Sequence, residues 1–437
     1  MSIEIAFDKL VDYFRDTLRH FPDKRTGKNI SYKMEDAALG AFAVFFMQSP
    51  SFLAHQKAMQ SSDKHNNAQS LFKIGSIPSD NQIRDLLDPV APKAAFPVFY
   101  KLFDALSQTK HLDNFRFLGD QLLIPLDGTE YHNSKEVFCD QCSRCEHKAG
   151  EVTYHHTAIT PVVVHPRQSR VISLPPEFIR PQDGHVKQDC ETAAAKRWIE
   201  GEGSRYATLK ATLLGDDLYS RQPMCETALA QGFHFIFTCK PDSHKTLYAD
   251  YIDCELALEK LSVERRKGKI KDTLNYRFTN QVPLRDSKDT LLVNWCEITI
   301  VNAAGKATYR NAFVTDHSIT AANVEDIVLA GRARWKIENE NNNTLKNHGY
   351  HLDHNFGHGK QHLSSLLLTL NLLAYLFHTV LDFTDKKYKL LRENLGRRKT
   401  FFEHIRSLTE YLFFKGWDDL INFMMKGRNI ALPIDSS

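Results

Sequence analysis

Short apolar segments alternate with helical segments between residues 120 and 240, and two of the apolar segments end in aspartate. QLLIPLDGTE and ATLLGDDLY are rich in Leu, as buried strands often are, and ETAAAKRWIE between them has a helical pattern. Strands that alternate with helices indicate a mixed α/β sheet. Because ligands collect at the ends of buried strands, Asp127 and Asp216 are candidate functional residues.

The chain has 437 residues, which is long enough for roughly two or three domains. Residues 67–90 predict two short helices around a turn with Gly75, either a helix-turn-helix or an ordinary corner of a helical bundle. The patterning predicts five regions: a helical, DNA-binding N-terminal domain (1–112), the first part of an α/β domain (113–245), a β-rich insertion (246–318), the second part of the α/β domain (319–385) and a helical C-terminal region (386–437).

The composition is that of a globular protein, with 42% hydrophobic and 25% charged residues and a net charge of +3. This net charge neither requires nor excludes a nucleic-acid partner, because phosphate binding depends on local charge. The first residues lack a signal-peptide pattern, and the apolar run 363–383 contains Asn371 and Asp382. We therefore expect a cytoplasmic protein in which this run is a buried helix rather than a membrane span.

Asp127, Asp216 and Glu338 together form a candidate set of metal ligands. Each aspartate alone has a simpler interpretation, because Asp after a strand commonly forms a turn or caps a helix. Three carboxylates, however, suit two Mg²⁺ ions, which also bind waters and phosphate oxygens. Two such ions activate water or a 3′-hydroxyl and stabilise the leaving oxygen of a phosphodiester. The set therefore predicts a metal-dependent nuclease site.

The helix RARWKIENENNNTLK (332–346) carries the third carboxylate. At about 100° per residue, Arg334 and Glu338 lie on one helix face, and Lys346 lies about 80° from Glu338. Glu340 lies about 200° from Glu338 around the helix, so the two glutamates cannot both be ligands of the same metal site. Arg334 and Lys346 are candidate contacts to DNA phosphates. A surface ion pair between Arg334 and Glu338 is the simpler interpretation.

Three segments, in this order, resemble DDE transposases of bacterial insertion sequences, in the branch with a Tyr-Arg-Glu-Lys signature: LDGTE, LLGDDLYSRQP and RWKIENENNNTLKNHGYHLDHNFGHGK. The resemblance covers roughly residues 113–385, and MQSPSFLAHQ and IPSDNQIRDLLD extend it weakly towards the N-terminus. It implies an RNase H-like mixed sheet flanked by helices, with Asp127 on the first strand, Asp216 on the fourth and Glu338 on a later helix.

The resemblance also implies an activity, namely Mg²⁺-dependent cleavage at transposon ends followed by strand transfer, with Mn²⁺ as a substitute cofactor. The partners it implies are double-stranded DNA, as terminal inverted repeats and as target, and a second copy of the chain in a homodimeric synaptic complex at the nucleoid. A non-catalytic DNA-binding protein derived from a transposase and a nuclease of the same fold without strand transfer are the alternatives.

Within the resemblance, Asp216 rather than Asp217 matches the metal ligand, because Tyr219 then takes the place of the tyrosine in the family's Asp-x-x-Tyr pattern. Two family residues do not match. The tyrosine three residues before the arginine falls on Gly331, and the lysine is displaced by one residue to Lys346.

The segment CDQCSRCEH places four metal-binding side chains within nine residues, namely Cys139, Cys142, Cys145 and His147. Thiolates and imidazole suit tetrahedral Zn²⁺, and Cys-x-x-Cys is a common ligand pair. Without a secretion signal, reduced thiols are expected rather than disulfides. The segment predicts a structural zinc knuckle, with unligated thiols or a partial site as the alternative.

Lys240 and Lys245 follow a predicted strand next to the acidic residues and are candidate DNA contacts. ERRKGKIK and GRRK add local positive charge. Such runs are usually solvated surface, which is the alternative interpretation. As phosphate contacts they would give an affinity that falls steeply with salt.

Overall fold

The computed structural model of the chain describes residues 6–26, 30–60, 66–148, 150–181, 189–255, 258–268 and 270–432. Its N-terminal part is helical, as predicted. Ser51, Asn66 and Ser79 cap three of its helices by accepting a backbone hydrogen bond. The helices are α1 (Phe7–Leu18), α2 (Met34–Phe46), α3 (Phe52–Met59), α4 (Asn67–Phe72), α5 (Asp80–Leu87) and α6 (Phe96–Gln108). Both α4 and α5 pack against α2, as at a bundle corner.

The strands form one large sheet and two smaller ones. They are β1 (Arg116–Phe117), β2 (Gln121–Pro125), β3 (Gly128–Ser134), β4 (Ser143–Glu146), β5 (Val152–Ile159), β6 (Val162–Val163), β7 (Ile172–Ser173), β8 (Glu177–Ile179), β9 (Ala211–Gly215), β10 (His234–Thr238), β11 (Glu259–Lys267), β12 (Ile270–Pro283), β13 (Leu292–Asn302) and β14 (Ala307–Thr315).

The large sheet is mixed, with the order β1-β2-β9-β10-β14-β13-β12-β11. β2, β9 and β10 are parallel neighbours, whereas β14 is antiparallel to β10. An antiparallel bridge between Leu123 and Val164 joins β2 to the segment of β6, which pairs with β7. The segment predicted as a β-rich insertion forms β11 to β14, and these strands continue the large sheet beyond β10.

The strand predicted at 120–132 is divided in the structure. β2 ends at Pro125 in the large sheet, and β3 begins at Gly128 in a smaller sheet, paired with β5. The two parts differ because β2 is buried at every residue, whereas β3 has buried and exposed positions. Asp127 therefore lies at the junction of two sheets.

The segment 332–346, predicted as a helix, is not a continuous α-helix. An α-helix, Val324–Arg332, ends where this segment begins, and a π-helical turn then covers Ile337–Asn342. This wider turn buries Asn342, which accepts a 3.1 Å hydrogen bond from Thr160. The helices of this region are α7 (Glu191–Glu200), α8 (Ser204–Ala207), α9 (Gln222–Ala230), α10 (Lys245–Leu247), α11 (Val324–Arg332) and α12 (Asn343–Asn347).

The C-terminal helices are α13 (Leu363–Thr384), α14 (Lys386–Leu395), α15 (Arg398–Tyr411) and α16 (Trp417–Gly427). By length and composition α13 is apolar enough to cross a membrane, but 89% of its most apolar window is buried inside this fold. It packs against α2, where the rings of Phe42 and Phe377 lie 4.9 Å apart. The helix is thus packed as the buried core helix that the sequence predicts.

Candidate active site and metal centres

The two predicted aspartates lie at the same edge of the large sheet. β2 and β9 are buried, parallel neighbours, so Asp127 and Asp216 follow their carboxyl ends side by side. One oxygen of Asp216 accepts a 2.8 Å hydrogen bond from Leu218 N–H. Asp217 instead accepts a 2.7 Å hydrogen bond from the backbone N–H of Lys240, which holds the loop after β10.

The charges of three other carboxylates act on Asp127. Burial of Asp127 and the negative charges of Glu191, Glu338 and Asp216 raise its pKa to about 7, and the positive charge of Arg334 opposes this rise. Arg334 Nη1 lies 2.7 Å from Glu338 Oε1, which is the ion pair given above as the simpler interpretation, and Arg334 lies in a turn just before the π-helical turn that holds Glu338. Carboxylates held this close at neutral pH are stabilised by a bound cation.

Glu191 is a carboxylate that the sequence motifs do not single out. It lies in the first turn of α7 and accepts a 2.8 Å hydrogen bond from the Tyr219 hydroxyl. A Cβ atom at Gly128 would lie 2.8 Å from Glu191 Oε2, so the backbone next to Asp127 approaches this carboxylate closely. Its only signal in the sequence is an acid at a helix start, which is a common feature of helices.

The carboxylates are spaced more widely than the ligands of a single ion. Among the described residues, two sets of metal-binding side chains have their ligand atoms within 4.8 Å of one another: Cys139, Cys142, His156 and His358, and His234, Asp316 and His317. The acidic residues after β2 and β9 belong to neither set.

Gly331 lies where the family's tyrosine would fall. At this point α11 packs against the sheet, and a Cβ atom on Gly331 would lie 2.6 Å from the ring of Phe313 on β14. A tyrosine therefore cannot be accommodated here unless Phe313 moves. Close helix-to-sheet packing thus leaves little room for any side chain at this position.

The four predicted DNA contacts have different surroundings. Lys240 and Lys245 are exposed in the segment after β10. Lys346 Nζ lies 3.3 Å from the carboxylate of Asp353, and Arg334 is buried and paired with its helix neighbour. Their role in DNA binding stays a prediction.

A cavity of about 820 Å³ lies beside the helical segment that carries Glu338, and we call it the arginine cavity. Arg392 Nε and Nη1 are buried there and have no hydrogen-bond acceptor among the described residues. Arg398 lies 3.7 Å from the carboxylate of Asp382. The charged residues of the lining are Arg170, Glu340, Asp382, Arg392, Arg397, Arg398 and Lys399. This excess of cations suits an anionic ligand.

The zinc knuckle predicted at residues 139–147 is wrong in two of its four members. Cys139 and Cys142 do lie together. The other side chains that converge on them are His156 on β5 and His358 in the segment between α12 and α13. The cluster therefore joins a hairpin to a distant part of the chain.

Cys145 and His147 lie away from this cluster. Cys145 is exposed on β4. His147 Nε2 lies 2.9 Å from Thr153 Oγ1. Each strand residue moves the chain about 3.3 Å onward. Cys145 and His147 therefore lie away from the turn that holds Cys139 and Cys142, although they are close in sequence. Strand β5 runs back along β4 and brings His156 beside that turn.

No protein-family model and no curated protein matches the chain. Among solved structures, it is similar to a piggyBac transposase in a synaptic complex with hairpin DNA, determined by cryo-electron microscopy. The similarity covers 100% of this chain and 83% of that chain, with 10% sequence identity and a TM-score of 0.39. At this similarity, the function has to be inferred from the side chains themselves.

Proposed function

We propose that the protein is a DDE transposase that cuts the ends of an insertion sequence and joins them to target DNA. Asp127, Asp216 and Glu338 are the proposed ligands of Mg²⁺. The observation that carries the proposal is a buried aspartate at a strand end, Asp127, whose pKa is raised to about 7 by its burial and by the charges of carboxylates from a second strand end and from helical segments. Such strongly perturbed groups are typical of functional sites.

The strand order supports an RNase H-like fold for this proposal. When β1 and the smaller sheet of β3, β4, β5 and β8 are set aside, five strands remain that are joined in the order β7-β6-β2-β9-β10. Asp127 then follows the first strand and Asp216 the fourth, with Glu338 on a later helical segment, as the family resemblance implies. β11 to β14 lie between the fifth strand and Glu338, where this branch has its β insertion.

The chemistry follows from the donor set. Carboxylate oxygens suit Mg²⁺ or Mn²⁺, and two such ions, when bound, activate water or a 3′-hydroxyl and stabilise the leaving oxygen. Arg334 orients Glu338 through their ion pair, and Tyr219 orients Glu191. Asp127 must lose its proton to act as a ligand, and a pKa of about 7 allows this at physiological pH.

Double-stranded DNA is the proposed partner, as terminal inverted repeats and as target, bound by a homodimer. Lys240 and Lys245 provide exposed positive charge next to the loop of Asp217. On the helical segment of Glu338, Lys346 provides half-buried positive charge, whereas Arg334 is buried and paired with Glu338. The arginine cavity borders the same segment at Glu340 and would take phosphate groups of the bound strand.

Incubation of the protein and Mg²⁺ with cloned DNA that flanks its coding sequence tests the proposal. We expect cut ends and joined products from the wild type, and neither from Asp216→Asn. Asp217→Asn is the matched control and should retain cleavage, because Asp217 holds a loop instead.

Full cleavage by Asp216→Asn would refute the ligand set. Cleavage without joined products would indicate a nuclease, and DNA binding without cleavage by the wild type would indicate a non-catalytic DNA-binding protein.

A further inference from the structure

Two cysteines and two histidines meet at distances that match a tetrahedral metal site. The ligand atoms are separated by 4.0 Å (Cys139 Sγ–Cys142 Sγ), 3.6 Å (Cys139 Sγ–His156 Nε2), 3.4 Å (Cys142 Sγ–His156 Nε2), 3.4 Å (Cys142 Sγ–His358 Nε2) and 3.0 Å (His156 Nε2–His358 Nε2). Zinc bonds of about 2.3 Å to sulfur and 2.0–2.1 Å to nitrogen place tetrahedral ligands about 3.3–3.8 Å apart. The observed separations are close to these values.

The surroundings of this cluster are those of a structural site. Cys142, His156 and His358 are buried. His358 Nδ1 lies 3.1 Å from the carbonyl oxygen of Gly359, which orients the ring with Nε2 towards the cysteines. Four protein ligands leave no open position for a substrate, and thiolates select Zn²⁺ over Mg²⁺.

We propose that Cys139, Cys142, His156 and His358 bind one Zn²⁺ ion, which clamps the segment after the Glu338 helix onto strand β5. Cys142 and His358 are 216 residues apart in the chain. β5 pairs with β3, which begins directly after Asp127. The ion therefore connects the strands that follow Asp127 to the segment that follows Glu338, and both of these residues are proposed magnesium ligands.

A second contact holds the other end of the clamped segment. The Asp88 carboxylate accepts hydrogen bonds of 3.0–3.2 Å from the backbone N–H groups of residues 360, 361 and 363. The segment is thus fixed between the N-terminal helices and the zinc cluster. A cross-link over such a long stretch of chain also restricts the unfolded state, which stabilises the fold. The zinc site stands independently, whereas its link to catalysis rests on the proposed function.

The zinc content of protein purified without a chelator tests the site. We expect about one zinc ion per chain in the wild type and a large loss in Cys142→Ser and His358→Ala. Cys145→Ser and His147→Ala are the matched controls and should keep their zinc. A wild-type content below about a tenth of an ion, or equal losses in the controls, would overturn the proposal.

A second measurement covers the case in which the ligand variants fail to fold. Wild-type protein freed of zinc is titrated with Co²⁺ and followed by visible absorption. We expect the intense bands of a tetrahedral site with thiolate ligands, saturating at about one ion per chain. Weak bands typical of octahedral coordination, or a disulfide between Cys139 and Cys142 in the purified protein, would overturn the site.

Removal and return of zinc separate this inference from the proposed function. We expect Tm to fall by about 5 °C or more without zinc and to recover with Zn²⁺ but not with Mg²⁺. DNA cleavage should fall and recover in parallel, and unchanged cleavage would overturn the clamp. A protein that binds zinc but never cuts DNA contradicts only the transposase proposal. One that cuts DNA but holds no zinc contradicts only the zinc site.

Discussion

The Tyr219 hydroxyl donates a 2.8 Å hydrogen bond to Glu191. This bond ties the turn after β9 to helix α7 and fixes a fourth carboxylate beside Asp127. Among the charged groups around Asp127, Glu191 has the largest effect on its pKa. We therefore predict that Glu191 affects the proposed site through the protonation of Asp127.

Replacing Glu191 by Gln should move the pH dependence of DNA cleavage. Loss of the negative charge lowers the pKa of Asp127, so the acid limb of the rate profile should shift down by roughly half a unit to one unit. Cleavage rates measured from pH 5 to 9 would show this shift. Tyr219→Phe keeps the charge and serves as the control, with a much smaller shift expected. Identical profiles for wild type and Glu191→Gln would contradict the assignment.

Metal-free protein should lose stability as the pH rises. The pKa of Asp127 is about 7 in the fold and 3.8 ordinarily, so between these values the folded state binds more protons than the unfolded state. The free energy of unfolding therefore falls with pH from about 4 to about 7. Urea denaturation in magnesium-free buffer should show this fall, and Mg²⁺ should offset it above pH 7.

The variant Asp127→Asn isolates this contribution. At pH 8 without Mg²⁺ it should be more stable than the wild type by on the order of 1 kcal/mol, because the buried charge is gone. The same variant should lose cleavage and keep most of its DNA affinity. A less stable Asp127→Asn protein, or one that still cuts DNA, would be incompatible with the site.

Cations of the arginine cavity should contribute to the salt dependence of DNA binding. Arg397 and Lys399 are exposed at the cavity, so Arg397→Ala and Lys399→Ala should each reduce the slope of log affinity against log salt by about one. Lys426→Ala, at an exposed position outside the cavity lining, is the control. Binding titrations at several salt concentrations measure the slopes, and equal slopes for all proteins would exclude the cavity as a phosphate site.

Gly331 should not tolerate even a methyl group. Because its Cβ would lie 2.6 Å from the Phe313 ring, Gly331→Ala should lower the free energy of unfolding by about 1–3 kcal/mol. Gly427→Ala is a matched helical control, since nothing lies within 4 Å of a Cβ there, and it should be neutral or slightly stabilising. Chemical denaturation of both variants provides the comparison. Equal stability would mean that Phe313 moves aside freely.

The sequence by itself determined the local features of this protein. Apolar segments before Asp127 and Asp216 predict buried strands, and the spacing of Arg334 and Glu338 predicts a shared helix face. These features depend on residues that are neighbours in the chain, which is why periodicity and spacing identify them. The same reasoning failed at Ile337–Asn342, which forms a π-helical turn with Asn342 bonded to Thr160, a residue distant in the chain.

Only the tertiary structure decided which distant groups meet. Glu191 resembles any acid at a helix start, and His156 and His358 belong to no local motif. Local spacing therefore grouped Cys145 and His147 with Cys139 and Cys142, whereas the fold places two other histidines beside these cysteines. Contacts across as many as 216 residues are set by sheet pairing and core packing, which a linear pattern does not contain.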